Sequence, residues 1–171
     1  MSDGNETRPD AGSAPALSRH RPALADRLRD VRGVATPPSG ESPVPDSIAL
    51  PRAGNRPLAL FVLGCGDGRV VQVLRDAMER ERTDTVVVVV EPDRRSLAGS
   101  FSSHDWSAIL ADPRIRFADG EPIDDAIREA VPEVVDPLRA IVTGVGLLPG
   151  DAGRFDSIRE EILEIGRVDN T

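Results

Sequence analysis

Apolar positions are sparse before Pro57 and dense after it. Residues 58–63 (LALFVL) form a continuous apolar run that stops at glycines. Residues 69–82 then place Val70, Val73, Leu74 and Ala77 on one helical face. Residues 85–90 (TVVVVV) are β-branched on both faces, as a strand covered by helices on each side must be. Residues 96–101 and 105–111 read as short helices, 115–118 as a strand and 123–131 as a helix. Residues 138–145 read as a fourth strand. Residues 155–165 read as a last helix, with Phe155, Ile158, Ile162 and Ile165 in one stripe. Strand and helix alternate, which implies a parallel sheet joined by right-handed crossovers. The expected fold class is α/β: a Rossmann-like, doubly wound, mainly parallel sheet with helices on both faces, spanning residues 57–168.

The segment before this domain has another character. Residues 1–57 hold nine of the fifteen prolines, with serine, glycine and aspartate filling much of the remainder. Too little apolar surface is present to offset the entropy of ordering, so residues 1–56 are expected to be a mostly disordered or extended tail. One exception stands out. Leu24, Leu28 and Val31 fall at i, i+4 and i+7, with Pro22 before them and Gly33 after. A short amphipathic helix is expected over 22–32. It is either a transient helix in a tail or a docking helix for this domain or a protein partner.

Charge divides the chain at the same place. Residues 1–56 carry eight arginines against seven acids, whereas residues 57–171 carry thirteen against twenty-two. An acidic globular part disfavours phosphate neutralisation, so no nucleic acid and no anionic membrane is expected as a partner. The single cysteine excludes an intrachain disulfide framework and suits a reducing, cytoplasmic setting. With two histidines and one cysteine a Cys/His zinc cluster is nearly excluded, and no metal site is expected. No apolar run reaches the roughly 18 residues of a membrane helix. The first residues also lack the pattern of a secretory signal.

The richest segment chemically is Gly64-Cys65-Gly66-Asp67-Gly68, between the first strand and the first helix of the domain. Glycine permits the positive φ that a sharp strand-to-helix turn needs, and missing side chains let a ligand approach the main chain. The helix that follows aims free N–H groups at that place. Glu91 stands at the tip of the next strand, before Pro92 and Asp93. A carboxylate there can accept from both hydroxyls of a ribose; alternatively, it serves as a strand-end acid at the start of the following helix. Asp119, in Asp119-Gly120-Glu121, follows the third strand. It either accepts from an adenine-like amino group or caps the helix near Ile123.

Other residues have competing explanations. Cys65 sits near a helix start, which lowers a thiol pKa, but it also serves as a small loop filler. His104 with Asp105 can form a base and its orienting acid, or a helix cap beside a loop histidine. Trp106 can stack on a ligand, or form a core face with Ile109 and Leu110. Arg94 and Arg95 can hold a phosphate, or lie solvated at a helix start.

Gly64-Cys65-Gly66-Asp67-Gly68, Glu91-Pro92-Asp93 and Asp119-Gly120 resemble the first three ligand-binding motifs of class I S-adenosylmethionine-dependent methyltransferases. The resemblance implies that the glycine loop faces the amino-acid part of S-adenosylmethionine, Glu91 its ribose and Asp119 its adenine. The chain departs from that pattern at Val62, where those enzymes usually carry an acid. It departs again at Thr143-Gly144-Val145-Gly146-Leu147, where they usually carry a catalytic Asn/Asp-Pro-Pro-aromatic stretch. A cofactor site is therefore implied, without a catalytic group.

A second resemblance spans roughly residues 57–131. Residues 61–68 (FVLGCGDG), Glu91-Pro92-Asp93, His104-Asp105-Trp106-Ser107, Asp112-Pro113-Arg114 and Gly120-Glu121 are similar to the N-terminal Rossmann-like region of the motility accessory factor family. Members are large bacterial glycosyltransferases, related to a 6-hydroxymethylpterin pyrophosphokinase-like fold, that modify flagellin with nonulosonic acid sugars. This resemblance implies a free-standing or truncated accessory domain, to which transferase activity does not carry over. The expected function is binding of a nucleoside-containing ligand, S-adenosylmethionine first. A non-catalytic interaction module is the alternative. A dinucleotide oxidoreductase ranks third, because Gly-x-Gly-x-Gly differs from the dinucleotide spacing.

Overall fold

The computed structural model describes residues 13–31, 49–50, 59–131, 141–144 and 152–168. Four strands, β1 (Ala59–Leu63), β2 (Val86–Glu91), β3 (Ile115–Asp119) and β4 (Ile141–Gly144), form one sheet in the order β3-β2-β1-β4. Every neighbouring pair is parallel. The chain steps outward from β1 through β2 to β3, then returns to the other side of β1 for β4. That reversal between β1 and β4 is the switch point at which doubly wound folds leave a crevice at the carboxyl edge. The observed fold is the α/β class that the alternating pattern implied.

The sheet is covered on both faces because its central strands are apolar at every position but Glu91, the last of β2. Successive side chains point to opposite faces. Leu60, Val62, Val87, Val89 and Ile115 meet α3 (Arg69–Glu81) through Val71, Leu74, Ala77 and Met78. Leu97 and Phe101 of α4 (Arg94–Ser103), and Ile109 and Leu110 of α5 (Ser107–Ala111), complete that layer. Ala59, Phe61, Leu63, Val86, Val88 and Val90 meet the other layer, made by Ile123 and Ile127 of α6 (Ile123–Ala130) and Phe155, Ile158 and Ile162 of α7 (Ala152–Val168). Each fully buried aliphatic side chain contributes about 1.5–3 kcal/mol, so β1 and β2 anchor both layers.

α4 begins earlier than apolar periodicity indicates, because the Asp93 carboxylate accepts from the Arg95 N–H at 3.0 Å and from the Ser96 hydroxyl at 3.1 Å. The cap, not the apolar stripe, sets that end.

Of the segment expected to be mostly a tail, residues 13–31 form two helices, α1 (Ala14–His20) and α2 (Pro22–Arg29). α2 is the helix expected near 22–32; it ends at Arg29, so Val31 lies beyond it. Pro22 occupies its first turn, where the missing N–H has no intrahelical partner to lose. Both helices dock on this domain: Leu17 and Leu24 join the α3–α4 side of the core, and Leu28 packs against it. Ser13 is fully buried. It donates its N–H to the Phe101 carbonyl at 3.0 Å and its hydroxyl to the His104 carbonyl at 2.9 Å, and it accepts from the Trp106 N–H at 2.8 Å. Arg21 donates to the carbonyls of Asp112 at 2.5 Å and Ile115 at 2.8 Å. Among the described residues, no helix is long and apolar enough to cross a membrane, and no group of three or more His, Cys, Asp or Glu could hold a metal ion.

Candidate functional site

The bend between β1 and α3 lies at the carboxyl edge. Gly64, Gly66 and Gly68 have φ of +85°, +48° and +81°, in the left-handed region that side chains disfavour. The three glycines serve different ends. Gly64 donates its N–H to the Val90 carbonyl at 2.9 Å and so continues the β1–β2 ladder. A Cβ at Gly68 would come within 2.8 Å of the Trp106 indole, so this glycine makes room for core packing. A Cβ at Gly66 would meet none of the described residues within 4 Å, so none of them closes off the main chain here. The Gly66 carbonyl accepts from the Ser100 hydroxyl at 2.6 Å, and Ser100 in turn accepts from Trp106 Nε1 at 3.0 Å. Asp67 accepts from the Arg69 N–H at 3.0 Å and caps the first turn of α3.

Glu91 is buried, and its carboxylate turns toward that bend. Oε2 accepts from the Cys65 N–H at 3.3 Å and lies 3.5 Å from Cys65 Sγ. Oε1 accepts from the Asp93 N–H at 3.1 Å. The helix-capping duty considered for Glu91 belongs to Asp93, which Glu91 steadies. Burial, and then the negative charge of Glu91, push the Cys65 thiol well above its ordinary pKa. The position of Cys65 near a helix start does not offset this, so Cys65 is a packed loop residue and not an activated nucleophile.

Asp119 pairs in register with Glu91 across β2 and β3. It caps no helix, since α6 starts at Ile123 behind Pro122 without a side-chain cap. Its carboxylate is held by two arginines instead. Arg27 donates from Nη2 at 2.7 Å and from Nε at 3.0 Å to Oδ2, and Arg94 Nε donates to Oδ1 at 2.7 Å. The Asp119 side chain is 1 % exposed, so the pair of guanidinium groups compensates a buried charge. Gly120, at φ +83°, has no side chain to obstruct Arg94, whose guanidinium would lie 2.6 Å from a Cβ there. The Arg27 guanidinium is stabilised in its charged form chiefly by its hydrogen bonds to Asp119.

The remaining candidates separate. Trp106 is fully buried and meets Phe101 edge to face at 5.1 Å, so it is core and not a stacking platform. Asp105 accepts from the Ser107 N–H at 2.9 Å, which leaves His104 without an orienting acid in Asp105. Arg95 lies 3.6 Å from Asp93 on the surface, while Arg94 turns inward to Asp119. Thr143 and Gly144 lie in β4, opposite Val62 and Leu63, whereas residues 145–147 fall outside the described residues. Sequence reasoning missed Arg27 and Ser100. Neither has a local signal: Arg27 reaches across 92 positions to Asp119, and Ser100 across 34 to Gly66.

The topology and the glycine bend define a doubly wound α/β domain with an open main-chain turn beside two strand-end acids. No family model matches the chain, and no curated protein or solved structure matches it.

Proposed function

We propose that the carboxyl edge of β1 and β2 binds a nucleoside-containing ligand, S-adenosylmethionine first, with Glu91 taking the ribose. The observation that carries this reading is the 3.3 Å approach of Glu91 Oε2 to the Cys65 amide, which sets a carboxylate at the mouth of a bend left open at Gly66. A carboxylate has lone pairs for a vicinal diol, and bare main chain gives the rest of the ligand close approach. The amino-acid part of the ligand would lie along Gly64, Cys65, Gly66, Asp67 and Gly68. The base would lie along Ala118, Asp119 and Gly120. The Asp119 carboxylate would reach it only on release of Arg27 or Arg94. The proposal is one of binding: no described side chain supplies an activated nucleophile or a paired base for methyl transfer.

A calorimetric titration of S-adenosylmethionine and S-adenosylhomocysteine tests it. Wild type binds both. Gly66→Asn, which fills the open space with a residue tolerant of left-handed φ, melts near wild type and does not bind. Glu91→Gln binds about tenfold more weakly, as expected for one lost charge-assisted contact. No binding to wild type, or equal binding to all three proteins, overturns the assignment.

One observation favours a second reading, a non-catalytic accessory or interaction domain of the motility accessory factor type. Asp67, Glu91 and Asp119 all have partners within the chain itself. On that reading the glycines only make the turn. Denatured protein would then release no adenine-like absorbance, and the titration would be flat.

A further inference from the structure

A cleft of about 310 Å³ opens on the outer side of β3, between α2 and α6. We propose that it binds a small phosphorylated anion. Its volume is at the lower end of the range for ligand pockets, about 300–1,000 Å³, which suits a small molecule. The proposal is independent of the nucleoside reading.

The charges around the cleft support it. Arg21, Arg27 and Arg116 line it together with His20, Asp119 and Glu129. Asp119 is already committed to Arg27 and to Arg94 outside the cleft. That leaves Arg21 and Arg116 close enough for the charge of Arg116 to act on Arg21. The Arg116 side chain makes no hydrogen bond or ion pair among the described residues. Arg21 bonds two carbonyls through Nη2, but its Nε is buried without an acceptor. Burial first, and the Arg116 charge second, disfavour the charged form of Arg21. The exposed Arg116 guanidinium, without a side-chain partner and set beside Arg21 in the cleft lining, leaves local positive charge that an anion from solution offsets.

The occupant is a tetrahedral oxyanion, because guanidinium forks match its several oxygens from more than one direction. An extended peptide adding to the β3 edge fits less well. Arg21 already occupies the Ile115 carbonyl that such a strand would use.

Thermal melts at constant ionic strength test the assignment, with chloride, inorganic phosphate and glycerol 3-phosphate compared. Both phosphates raise the Tm of wild type above its value in chloride, following mass-action linkage. Arg128→Ala, an exposed arginine on α6 outside the cleft lining, keeps that response. Arg116→Ala removes no bond of the described protein, so it folds as wild type does, but its apparent phosphate affinity falls about tenfold. Tighter binding of glycerol 3-phosphate assigns the site to phosphomonoesters, and equal binding assigns it to the phosphate group alone. A wild type indifferent to phosphate, or an Arg116→Ala response equal to that of wild type, overturns the proposal.

Discussion

Glu91 and Asp119 stand in register at the carboxyl ends of neighbouring parallel strands, yet their carboxylates serve different partners. Glu91 turns to the main chain, toward the Cys65 and Asp93 amides. Asp119 turns to side chains, toward Arg27 and Arg94. Two acids of similar setting in the sequence thus divide into one that shapes a loop and one that ties the docked helix α2 to the sheet.

The arginine pair on Asp119 is expected to behave cooperatively. Arg27→Ala alone should cost about 1–2 kcal/mol, since Arg94 still compensates the carboxylate and Arg27 is itself partly exposed. Removing both arginines should cost more than the two single losses together, because the buried charge then has neither partner. Urea unfolding of the four proteins in the cycle measures the coupling. Strict additivity would show that Asp119 finds other compensation.

Gly66 and Gly68 should differ in their tolerance of alanine. Both have positive φ, but only at Gly68 would the new Cβ press on the Trp106 indole at 2.8 Å. Gly66→Ala should cost on the order of 1–2 kcal/mol, the strain of the left-handed backbone alone. Gly68→Ala should cost about 2–5 kcal/mol, because overpacking adds to the strain. Equal losses in chemical denaturation would mean that Trp106 yields without cost.

The Cys65 thiol should resist alkylation in the folded protein. Its pKa is raised by burial and by the Glu91 charge, so the reactive thiolate is scarce at neutral and mildly alkaline pH. Iodoacetamide labelling followed by mass spectrometry should show modification only once denaturant is added. Rapid labelling of the native chain would contradict the buried position.

Acid should weaken the fold partly through Asp112. Burial works to raise its pKa, but hydrogen bonds from Arg114 outweigh that, joined by the charges of Arg114 and Arg75, and the net shift is downward. A carboxyl whose folded pKa lies below its unfolded value contributes stability that is fully present above the unfolded pKa and is lost as pH falls through the folded one. The loss should therefore begin near pH 4 and continue below it. Asp112→Asn should cost about 1–3 kcal/mol at pH 7 and flatten the acid side of the stability profile. An unchanged acid slope in that variant would assign the loss to other carboxyls.

The local pattern determined the layers of this protein. An unbroken apolar strand such as residues 86–90 can be satisfied only between two helical faces, and strands alternating with helices leave a parallel sheet as the simple arrangement. The glycine bend and the strand-end position of Glu91 were equally legible, because turn chemistry and strand ends are properties of adjacent residues. Only the tertiary structure decided what each group touches. Ser13 at Trp106, Arg21 at Ile115 and Arg27 at Asp119 are bonds between residues more than ninety positions apart. Such contacts depend on how α1 and α2 come to rest against the domain, and helical or strand periodicity carries no record of that placement.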